Sequence, residues 1–148
     1  MSSSCLIVCE KDGRWSAALR AALGRRVPRI SETRSLTQAA AALAESPCSL
    51  LAVEANDANL SSVIDLVARI AIDYPRAKVV ALIGPDMAAA EALLRESGAI
   101  DVLDSLRHAP RLARLAQRHH ALAPSEPLGV RQTAWQRLPW AAHATPGS

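Results

Sequence analysis

The sequence predicts an α/β domain in which helices wind around both faces of a parallel five-stranded sheet. Three observations predict it. Short apolar runs recur along the 148 residues, each followed by a stripe of apolar residues at helical spacing. Each strand–helix unit occupies about 20 to 25 residues, the length that a parallel crossover needs. One run, Ser49-Leu50-Leu51-Ala52-Val53-Glu54, stays apolar until it stops at a carboxylate, as a strand buried on both faces does. The carboxyl end of such a central strand opens onto the crevice where doubly wound sheets bind ligands, so Glu54 is expected there.

Cys5-Leu6-Ile7-Val8-Cys9 reads as the first strand, with Glu10-Lys11-Asp12-Gly13 at its carboxyl end. Trp15, Ala18, Leu19, Ala22 and Leu23 then make one helical stripe that Gly24 can close. Val27 to Ser31 is a second strand, and Pro28, which has no N–H to donate, confines it to an edge. Ser35 and Gln38 have capping-box spacing, Leu36, Ala39, Ala40 and Leu43 form the next stripe, and Ser46-Pro47 ends it.

After Glu54, Asn59 can cap a helix carrying Leu60, Val63, Ile64, Val67 and Ala71 as far as Asp73-Tyr74-Pro75. Val79 to Ile83 is a fourth strand, Asp86 can cap a helix that runs through Ser97 to Gly98, and Ile100 to Leu103 is the fifth strand. Pro110 suits the first turn of a last helix with Leu112, Leu115 and Ala116 inward and Arg111, Arg114 and Arg118 outward. Residues 1–122 therefore read as one domain. Residues 123–148, with four prolines and no clear period, read as an extended or partner-docked tail containing Trp135 and Trp140.

Composition narrows the function. Half the residues are hydrophobic, so disorder is not the expectation, but with three Trp, one Tyr and no Phe the core must be aliphatic. Net charge is +3, and 15 of the 17 basic residues are Arg, which is weak support for a nucleic-acid partner. Cys5 and Cys9 on one strand would lie about 13 Å apart, too far to bridge. Free thiols, no apolar run approaching the ~18 residues of a membrane span, and no basic signal region lead to the expectation of a cytoplasmic protein that does not engage membranes. The isolated glycines offer neither a dinucleotide fingerprint nor a P-loop, and no nucleophile triad can be assigned. Adjacent His119 and His120 point about 100° apart and read as a solvated helix end. No enzyme activity, cofactor or metal is expected.

With the Pro28 strand on the edge, the strand order 2-1-3-4-5 of the flavodoxin-like fold results, and it makes Glu10 and Glu54 neighbours. Residues 5 to about 121 resemble the receiver domain of two-component response regulators. Leu6 to Lys11 is similar to that family's first strand and acidic pair, and Leu50 to Glu54 is similar to the strand ending in the phospho-accepting Asp. Val79 to Gly84 is similar to the strand ending in a switch hydroxyl, and Gly98 to Leu106 to the strand ending in Lys-Pro.

Each chemical position departs from the pattern. The acidic pair is Glu10 and Lys11, the acceptor is Glu54, the switch hydroxyl is Ile83, Lys-Pro is Ser105-Leu106, and Val102 stands where the family has an aromatic switch partner. An ammonium at Lys11 would repel the Mg²⁺ that the resemblance implies, and a nucleophile misplaced by about 1 Å can lose 10²-fold in rate. Glu54 is expected to pair with Lys11, an internal cation in place of the metal, rather than to mimic a phosphorylated Asp. Asp12 is expected to be a helix cap or loop charge rather than a replacement metal ligand.

The resemblance implies a phosphorylation-independent receiver-like adaptor that works through protein–protein contacts in bacterial signalling. Its partner would be another signalling protein or a second copy, met by the fourth helix, fifth strand and last helix. Arg107, Arg111, Arg114 and Arg118, with Trp135 and Trp140, are the expected contact residues. The alternative is a nucleic-acid-binding regulator that uses the same basic helix and tail.

Overall fold

The computed structural model describes residues 4–123. Trp135, Trp140 and the expected tail lie outside them. Five strands form one parallel sheet in the order β2-β1-β3-β4-β5. They are β1 (Leu6–Cys9), β2 (Ile30–Thr33), β3 (Leu50–Glu54), β4 (Lys78–Leu82) and β5 (Asp101–Leu103). The helices between and after them are α1 (Arg14–Leu23), α2 (Leu36–Glu45), α3 (Leu60–Asp73), α4 (Glu91–Ser97) and α5 (Ala109–Leu122). This is the flavodoxin-like order expected from the sequence, with β2 at one edge.

The strands' period of two divides the core into two layers. Ile7, Leu51, Val53, Val79 and Ala81 face the layer of α2, α3 and α4, where they meet Leu43, Val63, Val67 and Leu94. Leu6, Val8, Leu50, Ala52, Val80 and Leu82 face α1 and α5, where they meet Trp15, Leu19, Leu112 and Ala116. Every one of these strand residues is buried, which explains the unbroken apolar runs.

Several local expectations are corrected. β2 begins at Ile30 rather than Val27, because Val27-Pro28 belongs to the turn after α1 and Val27 is exposed. The inward stripe of α1 is Trp15, Ser16, Leu19 and Leu23. Ser16 replaces Ala22 because its hydroxyl has a buried partner, Glu10. Likewise α3 buries Val63, Leu66, Val67 and Ile70, and Ala71 faces out. The helix expected from Asp86 to Ser97 is two pieces, a 3₁₀ stretch Pro85–Ala90 followed by α4.

Ser35 caps α2 as expected, accepting from the Gln38 amide at 3.1 Å, while Gln38 Oε1 reaches back to the Arg34 amide at 2.7 Å. Gly98, at φ 131°, closes α4. His119 is not simply solvated: its Nε2 lies 2.7 Å from the Cys48 carbonyl and ties the end of α5 to the entry of β3. Among the described residues no helix is long and apolar enough to cross a membrane.

Candidate functional site

The carboxyl ends of β1, β3, β4 and β5 surround a cleft of about 550 Å³. Lys11, Glu54, Ile83 and Ser105, from four different segments of the chain, all line it. Glu10 does not. Its carboxylate turns under α1, is 3 % exposed, and accepts from the Trp15 amide at 2.9 Å, the Ser16 amide at 2.8 Å and the Ser16 hydroxyl at 3.0 Å.

The local sequence explains that turn. Gly13 adopts φ 80° immediately before α1, a left-handed conformation that a residue with a Cβ resists, and it supplies no side chain to cap the helix. The amides at the start of α1 have no partner within the helix and therefore need an acceptor from elsewhere. Glu10 supplies both oxygens and its negative charge meets the positive end of the helix dipole. Glu10 and Glu54 stand at the ends of neighbouring strands, as expected, and of the two only Glu54 lines the cleft.

Glu54 is half-buried. Its Oε1 accepts from Lys11 at 3.3 Å, but the donor is the Lys11 backbone amide. No Lys11–Glu54 ion pair lies within 4 Å among the described residues. The expected internal cation is corrected accordingly: Lys11 is exposed and its long flexible ammonium gains more from water than from the partly screened carboxylate. The loop after Glu54 is held by Asn56 and Asn59, whose side chains exchange hydrogen bonds with each other's amides at 2.7 and 2.9 Å. Asn59 also donates to the Glu54 carbonyl at 3.1 Å, so it fixes this loop instead of capping α3 with its side chain.

Ile83 closes the cleft floor with a buried aliphatic side chain, and its amide donates to the Leu103 carbonyl at 2.8 Å. The Ser105 hydroxyl accepts from the Arg107 amide at 3.3 Å and caps a short 3₁₀ turn, Leu106–His108. Asp12 pairs with Arg14 at 3.6 Å on the surface. Asp86 and Asp104 join Asp12 and Glu54 at the rim, so four carboxylates face two cations, Lys11 and Arg14. A phosphoryl donor approaching them would be repelled unless a cation were held there.

The residues do not fit a magnesium ion of the kind the resemblance implies. Both Glu10 oxygens are occupied by α1, and among the described residues no group of three or more His, Cys, Asp or Glu side chains is placed to hold a metal. Cys9 is buried, and burial pushes its thiol pKa up, with the Glu54 and Glu10 charges adding to the rise and Thr33 and Arg34 opposing it.

The expected contact arginines differ from one another. Arg107, Arg111, Arg114 and Arg118 are all exposed. Arg111, however, reaches back to Asp101, a buried carboxylate at the start of β5, at 2.8 Å, and Arg95 of α4 binds the other oxygen at 3.2 Å. Asp101 stands inside an apolar strand, and no neighbouring cation in the sequence marks its role.

Neither a family model nor a curated protein matches the sequence. Solved structures are similar in three dimensions. A response regulator from Thermotoga maritima superposes with a TM-score of 0.63 at 16% identity, covering 78% of this chain and 98% of that one. The fold is that of response regulator receiver domains. An orphan response regulator of H. pylori gives a TM-score of 0.62 at 17% identity, covering 81% of this chain and 99% of its own. An atypical orphan response regulator, described as using a phosphorylation-independent regulatory mechanism, gives 0.63 at 18% identity over 82% of this chain and 98% of that one. What these similarities share with the chain is the receiver fold.

Proposed function

We propose that this chain is a phosphorylation-independent, receiver-like regulatory domain that acts through protein–protein contacts in bacterial signalling and is not an enzyme. The observation that carries the reading is Glu10, whose buried carboxylate fastens the start of α1 through both oxygens and does not line the cleft. Lys11, Glu54, Ile83 and Ser105 support it, since together they lack a second metal-binding acid, an Asp acceptor, a switch hydroxyl and a lysine for phosphoryl oxygens. The orphan regulator with a phosphorylation-independent mechanism is a precedent for such use of the fold.

In this reading the contact surface is formed by α4, β5 and α5, with Arg107, Arg114 and Arg118 facing a partner or a second copy and Arg111 holding the surface together through Asp101. Residues 123–148, with Trp135 and Trp140, add to that surface. The test is affinity capture from the native host and light scattering of the pure protein, with and without residues 123–148 and with Arg114→Glu/Arg118→Glu. Association that the charge reversal weakens is expected; association indifferent to both changes overturns the placement of the surface. Steeply salt-dependent binding to duplex DNA would instead favour a nucleic-acid role.

A further inference from the structure

We propose that the turn between α1 and β2, at the opposite end of the sheet from the cleft, is a second recognition site that binds an acidic protein segment carrying an apolar side chain. Between Asp12 and Glu32 the sequence holds Arg14, Arg20, Arg25, Arg26 and Arg29 and no carboxylate. The fold gathers four of them. A pocket of about 370 Å³ is rimmed by Arg20, Arg25, Arg26 and Arg29, with Leu23, Pro28 and Ile30 among the apolar residues that line it.

The turn is held at both ends. Gly24, at φ 63°, breaks α1 while its amide donates to the Arg20 carbonyl at 2.8 Å, and the Arg26 amide donates to the Leu23 carbonyl at 3.0 Å. On the far side the Arg29 carbonyl accepts from the Leu6 amide at 2.8 Å, which joins the turn to the first core strand. Leu23 and Pro28 are buried. The backbone that carries the arginines is therefore part of the folded frame.

Their charge is not balanced locally. Arg20 is bound by Glu32, which Arg34 also holds. Arg25, Arg26 and Arg29 are exposed and have no carboxylate within 4 Å among the described residues. Three like charges on one short turn repel one another, and an anionic ligand relieves that repulsion while accepting the forked hydrogen bonds that guanidinium groups offer.

The neighbouring apolar surface selects the kind of anion. Val27, 61 % exposed, lies between Arg26 and Arg29 along the turn, and the pocket has aliphatic lining and no aromatic side chain on which a base could stack. Its volume lies at the small end of ligand sites, which run from about 300 Å³ upward, and suits a side chain better than a duplex backbone. A peptide whose carboxylates reach the arginines while one aliphatic group enters the pocket satisfies both features. The chain's own residues 123–148 are not that segment, since they carry Arg131 and Arg137 against Glu126 alone.

The site is formed by the α1–β2 turn, a different segment from the α4–β5–α5 surface, and is tested separately. The full chain is titrated into a short labelled peptide of glutamates flanking a central leucine, and anisotropy is read at low and moderate salt. Controls are the same peptide with alanine for leucine, and a labelled duplex DNA. Binding is expected to weaken about tenfold or more with Arg25→Glu/Arg26→Glu, and less steeply with the alanine peptide, while Arg107→Glu, in the turn after β5 at the cleft end of the sheet, leaves it unchanged. Amide shifts at Leu23, Val27 and Ile30 on titration of the unaltered protein locate the site without any substitution. No binding of the peptide, binding insensitive to Arg25→Glu/Arg26→Glu, shifts that fall elsewhere, or tighter binding of the DNA through these arginines would each overturn the proposal.

Discussion

One oxygen of the Glu10 carboxylate receives both the amide and the hydroxyl of Ser16, at 2.8 and 3.0 Å, in a setting closed to water. An acid at the end of the first strand has become a structural cap for α1. A carboxylate so placed matters for stability, because its removal strands buried donors.

Glu10→Ala is therefore expected to lower unfolding stability by about 2–4 kcal/mol, as two amides and a hydroxyl lose a charged acceptor. Ser16→Ala, which leaves the amide contacts, is expected to cost about 1 kcal/mol. Urea unfolding of both variants measures this. A Glu10→Ala protein as stable as the parent would mean that the carboxylate does not hold the helix.

Arg111→Glu is expected to destabilise the fold by about 1–3 kcal/mol, because it removes a donor from buried Asp101 and sets a second carboxylate beside it. Arg114→Glu, at an exposed position with no carboxylate within 4 Å among the described residues, is expected to change stability by less than about 0.5 kcal/mol. Parallel denaturation curves distinguish the two. Equal effects would remove the structural role given to Arg111.

Much of this architecture is legible in the chain itself. The apolar runs ending at Cys9 and Glu54, the Ser35–Gln38 cap, Gly98 and Pro110 locate the strands and helices because each reports on local geometry. Ser16 and Asp101 were not legible, since a polar residue on a buried face is explained only by its partner, and Glu10 and Arg111 approach them through the fold. The link between Glu54 and Lys11 was legible as an adjacency but not as a bond, because sequence does not reveal whether an amide or an ammonium makes the contact.

The Glu32 carboxyl is held below its usual pKa of 4.5, first by its bond to Arg20 and then by the charges of Arg20 and Arg34. The unfolded chain consequently takes up a proton at higher pH than the folded one. This contribution to stability is present above 4.5 and is lost as pH falls through the lower, folded value. Arg20→Gln is expected to raise the Glu32 titration midpoint toward 4.5, as followed by carboxyl-carbon NMR, and to flatten the acid side of the stability profile. A midpoint that does not move would assign the shift to another group.

Lys11→Asp is expected not to create magnesium binding by itself, since it restores one acid while Glu10 remains bound to α1. Amide shifts during a magnesium titration check this. Saturating changes confined to residues 10 to 12 and 54 would show that Glu10 can be drawn away from the helix.

The most direct test of the central claim is the intact mass of the full chain after incubation with magnesium and a small acyl-phosphate donor. An unchanged mass is expected. A phosphoryl adduct mapped to Glu54, or to any other residue lining the cleft, would contradict it.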